Sequence, residues 1–199
     1  MKKKKLILAS KSPRRNEILK NLNIDFTVIT TDADESSINP EGLDVGVYVQ
    51  ELAMLKAADC IKKTESDDEL IIVAADTVVS IDGLILGKPK NEEDAFLMLK
   101  NLSGRTHEVY TGFCVMRSTD AKCLCEACVT KVLFKELSDE EIRDYIKTDE
   151  YKDKAGSYGI QGFGGLLVSG ISGDYLNVVG LPISRISDVL KNEFEYKII

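Results

Sequence analysis

Asp76 is the residue in this chain most suited to chemistry. It interrupts an apolar, β-branched run, Leu70-Ile71-Ile72-Val73-Ala74-Ala75-Asp76-Thr77-Val78-Val79. The run is too short for a typical helix and reads as a buried strand. A carboxylate there does not stay ionised without a partner. The candidates are a metal, Lys88 or backbone N–H groups, and the surroundings favour a site role over a structural one. Cations are placed to serve an anionic ligand. Ser10-Lys11-Ser12-Pro13-Arg14-Arg15 ends a first apolar run and opens an amphipathic stretch with Ile18, Leu19 and Leu22 at helical spacing. A helix N-terminus with Ser10, Ser12, Arg14 and Arg15 around it is either a cradle for phosphate oxygens or a capped, solvated basic turn. Lys56 falls on the inward stripe Val49, Leu52, Ala53, Lys56, Cys60. It either snorkels to the edge or reaches an anion. Lys88 follows the hairpin signal Asp82-Gly83 and its return strand Leu84-Ile85-Leu86.

Other candidates lie in loops. Asp32-Ala33-Asp34-Glu35-Ser36-Ser37 has no apolar period and is either a solvated loop or a supplier of carboxylates to a divalent cation. The glycine-rich segment 151–165 is a shaped loop, and Gln161 within it can donate and accept at once, which suits reading a base edge. His107, the only histidine, stands at a strand entrance and reads as structural. Cys123-x-Cys125-x-x-Cys128 invites zinc, but a fourth ligand is not obvious, and small apolar residues in a strand fit the segment better.

The elements that must position these groups follow in order. A strand at 5–9 precedes the first helix, and 26–30 is a short strand. Residues 45–63 are helical. A charged loop, 65–69, leads into the Asp76 strand. Asn91 caps a helix to about Leu102. Strands at 108–116 and 123–137 flank a turn at 118–121. Ser138-Asp139-Glu140-Glu141 is a capping box for a helix to about Lys147. Residues 166–171 form a strand, and Ser172-Gly173-Asp174 turns into 175–179. Pro182 opens the last helix, with Ile186, Val189 and Leu190 inward. The pattern is α/β, a mixed, hairpin-rich sheet with helices on its faces. No G-x-G-x-x-G follows the first strand, and no G-x-x-x-x-G-K-[ST] is present.

The chain of 199 residues is most simply one domain, 1–199, able to bury a core without staples. Its net charge of −7 argues against a binder of nucleic-acid polymers, but not against a small phosphorylated ligand in a locally basic cleft. No apolar run nears the roughly 20 residues of a membrane span. Residues 2–5 read as a lead-in to the first strand rather than a signal peptide. With five cysteines, an odd number, a cytoplasmic setting without disulfides is expected.

Several segments in order resemble the Maf family of nucleoside triphosphate pyrophosphatases. They are Ala9-Ser10-Lys11-Ser12-Pro13-Arg14-Arg15, Leu52-Ala53 with Lys56-Ala57, Ala75-Asp76-Thr77-Val78-Val79 and Leu86-Gly87-Lys88-Pro89. Ser103-Gly104-Arg105-Thr106-His107 with Thr111-Gly112, the run from Asp153 to Gly162, and Gly180-Leu181-Pro182 complete the set. The resemblance implies an elongated α/β fold like that of the inosine triphosphate pyrophosphatases, with two lobes around a cleft. It also implies cleavage between the α- and β-phosphates, giving a nucleoside monophosphate and pyrophosphate, with a divalent cation, Mg²⁺ or Mn²⁺. Lys-Ala-Gly-Ser-Tyr-Gly-Ile-Gln is similar to the dTTP/UTP branch rather than the 7-methyl-GTP branch. By resemblance Asp76 is the catalytic acceptor, and Arg14, Thr77 and Gln161 set nucleotide preference. Ser10, Arg15, Glu35, Lys56 and Lys88 line the cleft, with Glu35 and Asp76 holding the metal. The acidic loop can align one residue either way around Glu35. Gly46-Val47 departs from the family's frequent proline before the tyrosine. A homodimer is expected only from the resemblance. The rival readings are a nucleotide-binding regulator of division or septum formation with little turnover, and an enzyme acting on inosine triphosphate.

Overall fold

The computed structural model describes residues 4–66 and 68–199. Residues 2 and 3 of the basic lead-in and Asp67 of the charged loop lie outside the described residues. The sheet has the strand order β2-β1-β3-β5-β6-β7. Its members are β1 (Lys4–Ala9), β2 (Thr27–Ile29), β3 (Glu69–Ile81), β5 (Thr106–Arg117), β6 (Cys123–Phe134) and β7 (Val168–Ser172), with β4 (Leu84–Leu86) pairing off β3. Strand β1 runs parallel to β2 and to β3, whereas β4 against β3 and β7 against β6 are antiparallel. The expected mixed α/β sheet with helices is borne out. Among the described residues no helix is long and apolar enough to cross a membrane.

The chain forms two compact units. The first comprises Met1–Asp76, Thr111–Cys128 and Gly180–Ile199; the second comprises Thr77–Tyr110 and Val129–Val179.

In the first unit, α1 (Pro13–Asn21) leads from β1 to β2, and α2 (Val45–Lys62) leads from β2 to β3. Pro13 opens α1, where no amide partner is needed. The Asp44 carboxylate caps α2 by accepting the Gly46 and Val47 N–H groups. The small residues Ala53, Ala57 and Cys60 of α2 pack on Ile7, Ala9, Leu70, Ile72 and Ala74. At the start of α2 the approach is closer still. A Cβ on Gly112 of β5 would lie 2.2 Å from the Val49 carbonyl oxygen, so only glycine admits the helix there.

In the second unit, α3 (Glu92–Leu102) and α4 (Asp139–Ile146) are capped as the sequence predicts, by Asn91 and by the Ser138–Glu141 box. Their inner faces join Val79, Ile81, Val109, Val132, Phe134 and Tyr158 in one core. At β6 and β7 the observed bounds differ from expectation. Strand β6 ends at Phe134, not 137, because the Lys135 and Leu137 N–H groups bond to the Leu167 carbonyl and the Ser103 hydroxyl. Strand β7 starts at Val168, because Phe163–Leu167 coil into a 3₁₀ turn. Residues 175–179 form a short helix, α5 (Tyr175–Val179), with the Asp174 carboxylate accepting the Leu176 N–H.

Candidate active site

The first-unit candidates gather at one edge of the parallel strands. The chain leaves β1 for β2 on one side and returns to β3 on the other. The C-terminal ends of β1 and of the stretch of β3 paired with it, Glu69–Ala74, are therefore a topological switch point, the place where open α/β sheets bind ligands. Ser10 follows β1 directly. Ala9 pairs with Ala74, and Asp76 lies two residues beyond it. Side chains alternate along a strand, so Asp76 shares the α2-facing side with Ile72 and Ala74. Lys56, on the buried stripe of α2, meets it there.

Lys56 settles the choice between snorkelling and reaching an anion. Its ammonium donates to Asp76 Oδ1 and lies 3.0 Å from Glu35 Oε1. The Lys56 and Asp76 side chains are only 11% and 14% exposed. Two carboxylates thus share one cation. The structure also resolves the acidic loop. Asp32 is held by Lys11 (2.7 Å) and Lys63 (2.9 Å), whose hydrogen bonds keep its carboxyl well down, at about 2. Asp34 accepts the Ser36 N–H and hydroxyl and so caps the 3₁₀ turn Glu35–Ser37. That turn leaves Glu35 for Lys56.

Arg15 is 9% exposed and donates from Nε to the Gly180 carbonyl at 2.7 Å. Gly180, at φ +119°, adopts a backbone that L side chains rarely take, which accounts for glycine in Gly180-Leu181-Pro182. A second Arg15 nitrogen lies 3.4 Å from Ser10 Oγ, which also accepts the Ser12 N–H. Burial lowers the Arg15 pKa, Asp76 and Glu35 pull it back up, and Arg14 lowers it further. A desolvated guanidinium of this kind favours an incoming anion more than an exposed one does.

Tyr48 is a member of this site that the sequence reading missed. It lies on α2 two turns before Lys56, at i and i+8, and is half-buried. Burial first, then Asp76 and Glu35, raise its phenol pKa, so it stays a hydroxyl donor beside the carboxylates. The signal was the helical spacing Tyr48, Leu52, Lys56.

Thr77, Lys88 and Gln161 belong to the second unit. Thr77 is half-buried, and Lys88 and Gln161 are exposed. Their segments touch one another around Gly156, whose N–H donates to the Gly87 carbonyl at 3.1 Å and whose backbone lies against Val79. His107 is structural, as expected. It is buried, with Nε2 2.7 Å from the Tyr158 hydroxyl.

Among the described residues no group of three or more His, Cys, Asp or Glu could hold a metal ion. The cysteines 123, 125 and 128 lie along β6, and Cys125 shares a hydrogen bond with Cys114. Glu35 and Asp76, two hard carboxylates meeting at one cation, fit a Mg²⁺- or Mn²⁺-type ion that takes its other ligands from phosphate and water.

The family model described as Maf-like protein matches residues 5–193. A dTTP/UTP pyrophosphatase of Thermoanaerobacter sp. (strain X514) is 49% identical over 195 residues, covering 98% of this chain and 100% of that protein. Those of Caldanaerobacter subterraneus and Clostridium acetobutylicum are each 50% identical. They cover 97% and 94% of this chain and 91% and 96% of the relatives. A nucleoside-triphosphatase / dITP/XTP pyrophosphatase from Mycobacterium abscessus aligns with a TM-score of 0.39 at 15% identity. That alignment covers 65% of this chain and 72% of that one, a likeness too slight to carry an argument. With its family match spanning nearly the whole sequence, the chain belongs to the Maf family.

Proposed function

We propose that this protein hydrolyses dTTP and UTP to the nucleoside monophosphate and pyrophosphate, a nucleotide-pool house-cleaning activity that extends to modified pyrimidine nucleotides. The observation that carries the reading is Lys56 held between Asp76 and Glu35 beside the buried Arg15. Relatives near 50% identity that are named dTTP/UTP pyrophosphatase support the substrate class. The net charge of −7 supports a free nucleotide over a polymer, and a free nucleotide suits a cytoplasmic setting.

Phosphoanhydride hydrolysis needs neutralised oxygens, a positioned water and a stabilised leaving group. Arg15, Arg14 and Lys56 supply positive charge, and the Ser10 hydroxyl adds a hydrogen bond to a phosphate oxygen. Phosphate oxygens compete with Asp76 for the Lys56 ammonium, which frees a carboxylate oxygen to accept a proton from water. Tyr48 keeps its phenolic proton beside the same carboxylates. Asp76 and Glu35 would hold the divalent cation, which when bound neutralises charge on the phosphates. By the resemblance Lys88 is a further phosphate ligand, and Arg14, Thr77 and Gln161 set nucleotide preference. The resemblance favours a homodimer, which sedimentation-equilibrium mass measurements in solution would test.

The direct test is a panel of UTP, dTTP, dCTP, ITP and 7-methyl-GTP with Mg²⁺ or Mn²⁺, with pyrophosphate release as the readout. The highest kcat/KM is expected for dTTP and UTP. Tight binding without product would instead support the regulator, and a purine preference would refute the role given to Gln161.

A further inference from the structure

Gln161 is exposed in the short span Gly159-Ile160-Gln161-Gly162, whose glycines make it intrinsically loose. The structure holds this span from both sides. Before it, Tyr158 is buried, its hydroxyl is 2.7 Å from His107 Nε2, and its ring packs edge-to-face on Phe134 at 4.7 Å between centroids. After it, the Glu150 carboxylate takes two backbone groups at once: Oε1 accepts the Phe163 N–H and Oε2 the Gly164 N–H, both at 3.1 Å. The two halves are also tied together. The Lys154 ammonium donates to the Glu150 carbonyl, and the Lys154 chain lies where a Cβ on Gly159 would meet it at 2.6 Å. The Tyr145 hydroxyl accepts the Gly159 N–H at 3.4 Å.

A two-point charge-assisted clamp adds geometric specificity as well as strength. It suits a side chain that must be placed to within about 0.5 Å. An amide that donates and accepts matches a pyrimidine with a ring N–H beside a carbonyl, as in thymine and uracil. Cytosine, where both partners are reversed, is matched only by the amide turned over, so the orientation of the amide decides between them.

We propose that Glu150, together with the His107–Tyr158 pair, is a positioning element for Gln161. It holds the amide in the register that selects thymine and uracil nucleotides, and none of the three touches substrate. The proposal rests on the reading of Gln161 as the residue that reads the base.

The test is kcat/KM for dTTP and dCTP, with thermal midpoints, for the unmodified enzyme and for Glu150→Gln, Tyr158→Phe, Gln161→Ala and the double variant Glu150→Gln/Gln161→Ala. Glu150→Gln keeps the size of the side chain but leaves one acceptor where there were two. The expected result is a fall in the dTTP-to-dCTP ratio of about tenfold, carried by a raised KM for dTTP with kcat nearly kept. Tyr158→Phe, which removes only the hydroxyl, changes the ratio in the same direction. The double variant is no less selective than Gln161→Ala alone, since the clamp acts through the amide. An unchanged ratio in Glu150→Gln, or losses that add fully in the double variant, would make the clamp merely structural and overturn the proposal. If Gln161→Ala itself keeps the ratio, the reading of Gln161 fails first and the proposal with it. If the unmodified enzyme turns over neither nucleotide, the proposed function has failed instead.

Discussion

Lys56 and Asp76 form a pair that neither residue could sustain alone. The ammonium enters from an inward position of α2, the carboxylate ends a run of apolar strand residues, and both are largely hidden from water. Burial makes each charge depend on the other. Lys56→Met should therefore cost about 3 kcal/mol in urea unfolding and most of the turnover. Adding Asp76→Asn to that variant should recover part of the stability but none of the activity. A double-mutant cycle on unfolding free energy checks this. Strict additivity would mean that the pair is not coupled.

The acidic loop divides its labour. Asp32 serves Lys11 and Lys63, Asp34 caps a turn, and Glu35 faces Lys56. Asp32→Asn should keep turnover within about twofold, as an exposed surface change. Glu35→Gln should raise the Mg²⁺ or Mn²⁺ concentration needed for half-maximal rate. The Asp32 carboxyl lies below its ordinary value, so its contribution to stability is present above the unfolded pKa and lost as pH falls through about 2. Metal titrations of the two variants separate the roles.

His107 is the only histidine, so one NMR signal reports on it. Burial pushes it down to about 4, so the ring is neutral in the folded protein at physiological pH. Its Cε1–H resonance should not titrate between pH 8 and about 5. In the unfolded chain the ring binds a proton near its ordinary value. The stability tied to its neutral form is therefore full above about 6.5 and falls, by up to about 3 kcal/mol, as pH drops toward 4. In His107→Asn that slope should be missing. A midpoint near 6.5 in the native protein would contradict the burial.

Gly112 controls how closely α2 lies on the sheet. Gly112→Ala drives a Cβ into the Val49 carbonyl, so the helix must move and carry Lys56 with it. A stability loss of about 3 kcal/mol is expected, together with a fall in kcat. Full activity in a stable Gly112→Ala protein would mean that α2 does not depend on this approach.

These cases show which parts of the site were legible in the sequence. Asp76 was visible because a charge in an apolar run breaks a local pattern, and Lys56 because it breaks a helical stripe. Both signals are one-dimensional. The strand containing Cys123 overran by three residues, since the bonds that end it go to Ser103 and Leu167, far away in sequence. The helix at 175–179 forms around an Asp174 bond that periodicity over so short a span does not reveal. Tyr48 and Glu150 look like ordinary surface residues until the fold shows what they face. The choice of Glu35 over Asp34 depended on a capping bond within the turn, which the composition of an acidic loop leaves open.

The role proposed for Asp76 is in a reaction that splits dTTP between its α- and β-phosphates. The decisive measurement is ³¹P NMR of dTTP incubated with Mg²⁺ and either the unmodified protein or Asp76→Asn, with folding of the variant verified by circular dichroism. Signals of thymidine monophosphate and pyrophosphate are expected with the unmodified protein, and almost none with the folded Asp76→Asn variant. Thymidine diphosphate and orthophosphate as products, or undiminished turnover in the variant, would contradict that role.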